Sequence, residues 1–350
     1  MAEALRHTEK GDTPVEPALL VRYRAAIAER LRTTALPASS FAGRMSAYHM
    51  GWVDRDGRPT SSQSGKFIRP SLCIWACEAC GGTADDALPA ATALEWMHNF
   101  TLIHDDIQDG DRERRARETV WSVWGAAQAI NAGDALHALV FQTLAQSESP
   151  HPKRQLRAVR AIADAALEVI QGQCLDLNLE GRADTRPRSY LRMIQAKTGA
   201  LFGASLQVGA IVAGASDVVV DRFRLAGRRL GTAFQMRDDW LGVWGDPAAT
   251  GKSTSGDVNR AKTTYPVVAG YAAMTVFQRR RLRELFLSKV KKPAAKIREL
   301  LEDAGGPELT RSAPGRTAEK AAALVARCGL DKKYDAEFLE VARYVADRSR

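Results

Sequence analysis

Apolar residues recur at three- and four-residue steps through a series of long stretches: LLVRYRAAIAERL, LPAATALEWMHNFTLIHDD, AAQAINAGDALHALVFQTLA, LRAVRAIADAALEVIQGQCLDL, YLRMIQAKTGALFGASLQVGAIVAG and FRLAGRRLGTAFQMRDDWLGVW. That period gathers apolar side chains on one face of an α-helix. No stretch alternates as a half-buried strand would. The pattern predicts an all-α, single-domain helical bundle, whose interior can hold a site built from facing side chains. Residues 1–17 are polar and aperiodic and read as a mobile N-terminal tail, with 18–350 as the helical domain. Breaks fall at WVDRDGRPTSSQSG (52–65), GDPAATGKSTSGD (245–257) and GGPELTRSAPG (305–315), the last separating two C-terminal surface helices.

Composition narrows the chemistry. A hydrophobic content of 45% is ample for a large core, and the formal net charge of +9 suits either nucleic acid or a small, highly anionic substrate. No nucleic-acid-binding motif accompanies the charge, so the small anion is the better reading. The N-terminus lacks an apolar signal core, and no run of about 18 apolar residues occurs, so the expectation is a cytoplasmic protein without a membrane span. The basic run RRRLRELF with KVKK (279–292) reads as a solvated helix face, with transient contact to an acidic membrane surface as the competing use. Cys73, Cys77 and Cys80 have the CxxxCxxC spacing of an iron-sulfur site. They fall in RPSLCIWACEACGG, however, which reads as a helix opened by Pro70 and closed by Gly81 with the thiols on one face as buried small hydrophobes.

The stretch HDDIQDGDRERR (104–115) packs acid and then base directly after an apolar run. Asp105 and Asp109 are one helical turn apart and share a face, with His98 and Glu95 further back. Carboxylates so placed can hold magnesium while leaving room for water and phosphate oxygens. A second acidic pair, Asp238 and Asp239, ends another apolar helix in FQMRDDWLGVWGD. Either pair alone is more often a solvated helix end. Two on near-core helices suggest a metal site across a cavity. Basic residues follow the same distribution: Lys66 and Arg69 in GKFIRP, Arg114 and Arg115 after the first acidic group, Lys197 beside Thr198 in an apolar helix, and Lys252 and Lys262 after the second pair. A lysine within an apolar stretch needs a partner if buried, and a phosphate would be one.

GKFIRP, EWMH, LIHDDIQD followed by two arginines, NAGDAL, GQCLDL, KTGALF, and FQMRDDWLGVWGD with TGK and a later lysine occur in this order. Together they resemble the trans-isoprenyl diphosphate synthases (polyprenyl synthetases) of the bacterial geranylgeranyl diphosphate type, over nearly the whole chain. The resemblance implies the isoprenoid-synthase bundle with a central active-site cavity, and a homodimer. It also implies a reaction joining isopentenyl diphosphate to an allylic diphosphate with magnesium, three ions per site when substrate is bound. It assigns Asp105, Asp106, Asp109, Asp238 and Asp239 to the metal, and Arg114, Lys197 and Lys252 to the allylic diphosphate. Lys66, Arg69, His98 and Arg115 fall to isopentenyl diphosphate, Thr198 and Gln235 to the allylic cation, and Lys262 to the second diphosphate-binding region. Phe100, with Thr101 and Met97, would set product length near C20, C15 being the nearest competitor. Three positions depart from the family pattern: Gly242 stands where many members have a third aspartate, and Glu118 and Trp121 replace the usual Pro and His. Two other readings compete. A class I terpene cyclase would use some of the seven tryptophans to stabilise cations, and a scaffold subunit would have lost its metal ligands.

Overall fold

The computed structural model describes residues 15–60, 65–147, 149–245, 262–287 and 294–348. Most of the N-terminal tail expected at 1–17, and all but the first residue of the 245–257 break with its Lys252, lie outside them. The chain runs α1 (Ala18–Arg22), α2 (Arg24–Thr34), α3 (Phe41–His49), α4 (Ile68–Ala79), α5 (Ala84–Asp109), a minimal hairpin of β1 (Glu113–Arg114) and β2 (Arg117–Glu118), and α6 (Val120–Trp124). It continues with α7 (Ala126–Ala145), α8 (Pro152–Leu179), α9 (Pro187–Ile194), a π-helical turn (Gln195–Gly199), α10 (Ala200–Ala213) and α11 (Asp217–Trp244). The C-terminal part is α12 (Tyr265–Ala273), α13 (Val276–Leu287), α14 (Ala294–Asp303), α15 (Gly306–Arg311), α16 (Ala313–Val325) and α17 (Lys332–Asp347).

Helix α10 is apolar all round and buried on nearly every face, which is how a central helix differs from an amphipathic surface one. It packs on α4, α8 and α11, while α5 packs on α4 and α7. The stretch from Pro187 to Ala213 is long and apolar enough to cross a membrane, yet 72% of it is buried inside the bundle. Trp75 of α4 stacks on Phe223 at 5.8 Å and lies 5.3 Å from Phe338, fastening α4 to α11 and α17. Its Nε1–H donates to Glu337 at 3.0 Å, so the indole is buried without stranding its donor.

The observed elements differ from the pattern in several places. Helix α4 opens at Ile68, not Pro70, and ends at Ala79; Cys73 and Cys77 are buried but Cys80, at its C-cap, is half-buried. Burial pushes the Cys77 thiol up to about 12, as expected of packing side chains. The 305–315 segment is not a loop, because α15 and α16 occupy most of it, each with proline in its first turn where the missing N–H costs nothing. Helix α11 continues past Asp238 and Asp239 to Trp244, so the second acidic pair lies inside it.

Candidate active site

Helix α5 delivers the first acidic group. It starts with a capping box, the Thr83 side chain and backbone exchanging hydrogen bonds with Asp86, and it stops at Gly110, whose φ of 67° the missing Cβ permits. Asp111 N–H then closes on Asp106 O at 2.9 Å. The chain turns back through β1 and β2, where Arg115 (φ 52°) and Ala116 (φ 58°) both sit in the left-handed region and form the two-residue turn between the paired Arg114 and Arg117. Of the replaced positions, Trp121 fastens this hairpin through its side chain: its Nε1–H and the Thr119 hydroxyl both donate to Asp111 O, at 2.7 and 2.8 Å, while the main-chain oxygen of Glu118 accepts from the Tyr48 hydroxyl at 2.9 Å.

Lys197 and Thr198 come from the π-helical turn, the kind of local widening that re-aims side chains within a helix. It lies against Gly172 of α8 so closely that a Cβ there would be 2.2 Å from Lys197 N. The glycine of the GQCLDL motif is therefore a backbone-contact residue. Asp176 of the same motif accepts from Lys197 Nζ at 2.7 Å, while Asp105 accepts from the same ammonium at 2.9 Å. Lys197 thus has two protein partners, besides the phosphate that the sequence suggested as one.

These elements surround a single large cavity of about 2230 Å³. Every described residue that sequence reasoning assigned to chemistry lines it: Lys66, Arg69, His98, Arg114, Arg115, Lys197, Thr198, Gln235, Lys262 and the five aspartates. Phe100 and Thr101 line it as well, whereas Met97 is fully buried and does not. Gly242 lines it one turn beyond Asp238. None of the seven tryptophans does, which removes the feature that favoured a terpene cyclase.

Each acidic side chain is held by a donor. Arg114 pairs with Asp106 at 2.6 Å, Lys262 pairs with Asp109, and Arg348 reaches Asp238 at 2.5 Å. Asp239 accepts from the Tyr190 hydroxyl at 2.6 Å, from Tyr265 N–H at 2.7 Å and from Gln235 Nε2 at 2.9 Å. Thr198 Oγ1 donates to Gln235 Oε1 at 2.7 Å, so this amide links the π-helical turn to α11. Burial, opposed by Arg114, raises the Asp106 carboxyl to about 6. At Asp105 burial is outweighed by Lys197, Lys262 and Arg114, and the pKa falls.

A second basic group gathers at another part of the wall. Arg69 NH1 meets His98 Nε2 at 3.1 Å, and burial with the charge of Arg69 and Arg115 holds His98 neutral, well below its usual range, so its ring nitrogen accepts. Arg69 Nε is buried without a protein partner, and both polar atoms of Gln173, also at the wall, lack one. The two orphaned donors, Arg69 Nε and Gln173 Nε2, fit a ligand rich in acceptor oxygens. Sequence reasoning gave no role to Asp176, Tyr190, Arg348, His49 or Asn99. Asp176 and Gln173 were within reach, since they share a motif with Gly172, but nothing near Arg348 in sequence points to Asp238.

Among the described residues, no three His, Cys, Asp or Glu side chains converge as a ready-made metal cage. The ligand atoms are carboxylate oxygens on two helices around one cavity, each also held by a protein donor. Magnesium is commonly held by one or two carboxylates completed by water and phosphate oxygens, so the residues fit an ion that binds together with a phosphorylated substrate.

Comparison with known proteins gives a family description and close relatives. The polyprenyl synthetase family model matches residues 52–304. A (2E,6E)-farnesyl diphosphate synthase of Mycobacterium bovis is 39% identical over 307 residues, covering 86% of this chain and 85% of the relative. A geranylgeranyl diphosphate synthase of Mycobacterium tuberculosis is 42% identical over 261 residues, 74% of each chain. The crystal structure of a polyprenyl synthetase from Streptomyces coelicolor A3(2) superposes with a TM-score of 0.87 at 35% identity, over 94% of this chain and 99% of the other.

Proposed function

The chain belongs to the polyprenyl synthetase family and is a short-chain prenyltransferase with the helical isoprenoid-synthase fold; on that premise we propose that it joins isopentenyl diphosphate to an allylic diphosphate and stops at geranylgeranyl diphosphate (C20). The observation that carries the reading is one cavity lined by two acidic groups and two sets of cations. Arg114, Lys197 and Lys262 lie among the carboxylates and suit one diphosphate, while Lys66, Arg69 and Arg115 suit a second. A cyclase has no use for the second set.

Magnesium, three ions per site with substrate bound, would be held by Asp105, Asp106, Asp109, Asp238 and Asp239 and would supply positive charge to the departing diphosphate. The chain's own residues do the rest. Arg114 and Lys197, with Lys252 from outside the described residues, fix the allylic diphosphate while its C–O bond breaks and the bonding pair leaves on oxygen. The Thr198 hydroxyl and Gln235 amide direct dipoles at the resulting allylic cation. Lys66, Arg69, His98 and Arg115 hold isopentenyl diphosphate so that its double bond attacks the cation and forms the new C–C bond. The released diphosphate takes the proton, and no protein nucleophile is required.

Product length rests on Phe100. It lies five residues before Asp105, about 7.5 Å down the helix at 1.5 Å per residue. Its ring lines the cavity and packs on His104 at 4.9 Å and His137 at 4.8 Å, a braced position for a floor. The relative with the longer alignment is named a farnesyl diphosphate synthase, which makes C15 the second reading. Labelled isopentenyl diphosphate with each allylic primer and magnesium should accumulate the C20 product, and Phe100→Ala should extend it. A C15 end point overturns the chain-length assignment, and an unchanged distribution in Phe100→Ala overturns the floor.

We also read the protein as a cytoplasmic homodimer. Leu156, Leu167, Ile170 and Leu177 follow one face of α8 and are 70%, 67%, 46% and 39% exposed, an apolar stripe of the kind a second subunit covers.

A further inference from the structure

His49 and Asn99 take no part in the chemistry above, yet they are hydrogen-bonded to each other, and His49 lines the same cavity as the second set of cations. Asn99 lies in the middle of α5 and is buried, where an apolar residue would pack without needing partners. Its Nδ2 donates twice, to the Glu95 main-chain oxygen at 2.9 Å and to Glu95 Oε1 at 3.1 Å. Both neighbours of the nitrogen are acceptors, so the amide cannot turn over without setting oxygen against oxygen. Its Oδ1 therefore faces His49 Nε2, 3.1 Å away, and that ring nitrogen must carry the hydrogen. Desolvation, with the charge of Arg115, Arg114 and Arg117, pulls the His49 pKa down to about 3, so the ring is neutral and has this single tautomer. The hydrogen bonds run one way, from His49 to Asn99 to Glu95.

Glu95 is buried at the wall of the cavity that Arg69 and Arg115 also line, and burial raises its pKa against the opposing charges of those two arginines. His49 ends α3, and that end is tied to the hairpin carrying Arg115, because Arg117 NH1 donates to Tyr48 O at 3.1 Å and the Tyr48 hydroxyl donates to Glu118 O at 2.9 Å. One junction thus sets both the start of the hydrogen-bond chain and the backbone of one of the arginines. Arg115 itself has left-handed backbone, which surrounding contacts must hold in place.

We propose that His49 and Asn99 are positioning residues for the second diphosphate pocket: the His49 N–H fixes the Asn99 amide, and Asn99 fixes the Glu95 side chain at the wall it shares with Arg69 and Arg115. The proposal rests on reading that pocket as the isopentenyl diphosphate subsite. Glutamine in place of His49 keeps an N–H donor, whereas leucine removes it at similar bulk.

Calorimetric titration with isopentenyl diphosphate alone, without an allylic primer, tests it free of turnover. A non-ionising allylic thiolodiphosphate with magnesium serves as the control ligand for the other pocket. His49→Leu and Asn99→Leu should weaken isopentenyl diphosphate binding about ten-fold, one charge-assisted contact's worth, leave the control ligand within about two-fold, and His49→Gln should restore wild-type affinity. Unchanged affinity in both leucine variants overturns the proposal, as does equal loss for both ligands or failure of His49→Gln to restore binding. If a leucine variant does not fold, Asn99→Ser replaces it, with the same outcomes. Absence of isopentenyl diphosphate binding in the wild type would instead overturn the reading of the pocket itself.

Discussion

Asp105 shares the Lys197 ammonium with Asp176, at 2.9 and 2.7 Å, and this sharing separates catalysis from stability at the site. Replacing Asp105 leaves Lys197 paired through Asp176. Replacing Asp238 leaves the Arg348 guanidinium over the Phe234 ring at 3.8 Å. Neither change strands a buried charge, so Asp105→Ala and Asp238→Ala should fold normally. Each should slow condensation about 10³-fold, because each removes charge placed for the leaving group. Steady-state rates beside far-ultraviolet circular dichroism check this, and near-normal rates in both variants would remove the metal assignment. A second residue-scale outcome concerns Ala116, an exposed non-glycine at φ 58°. Left-handed backbone costs alanine about 1–2 kcal/mol, and glycine gives back about 0.5–1 kcal/mol through the unfolded chain. Ala116→Gly should therefore raise stability by roughly 0.5–1 kcal/mol in urea unfolding, and a loss of stability would show that the turn is not strained.

Among elements, the π-helical turn depends most on a neighbour. With a Cβ at residue 172 only 2.2 Å from Lys197 N, neither backbone can yield cheaply. Gly172→Ala should cost about 1–3 kcal/mol in chemical denaturation. It should also lower turnover more than Asp176→Asn does, since it displaces both Lys197 and Thr198. Wild-type stability in Gly172→Ala would mean that α8 can move away freely. This turn also shows which features the sequence carries. The long helices were legible because their apolar period is local, and both acidic groups because charge breaking an apolar run is local too. The π-helical widening leaves no such mark: KTGALF continues an apolar helix, and only the packing of Gly172 against residue 197 reveals the change. The placement of the second acidic pair inside α11 was legible, since the apolar period of FRLAGRRLGTAFQMRDDWLGVW runs through it to Trp244, and reading the pair as the helix's end set the charge above that period. Contacts such as Arg348 with Asp238, or His49 with Asn99, join residues far apart in the chain and carry no pattern at all.

For the whole molecule, the exposed stripe on α8 and the cavity are connected, because Ile170 and Leu177 belong to both. A partner subunit covering the stripe would close one wall of the cavity as well as bury apolar surface. Sedimentation at micromolar concentration should give a dimer, and Leu167→Arg should give a monomer with weakened turnover. A wild-type monomer would contradict the assembly.

The central claim is that this cavity couples loss of one diphosphate to formation of one carbon–carbon bond, and the stoichiometry of that coupling tests it most directly. Pure protein with magnesium, farnesyl diphosphate and labelled isopentenyl diphosphate should release one inorganic diphosphate for each isopentenyl unit incorporated, with the label in a C20 prenyl diphosphate. Diphosphate release without incorporation, or label in no prenyl product with any allylic primer, would contradict it.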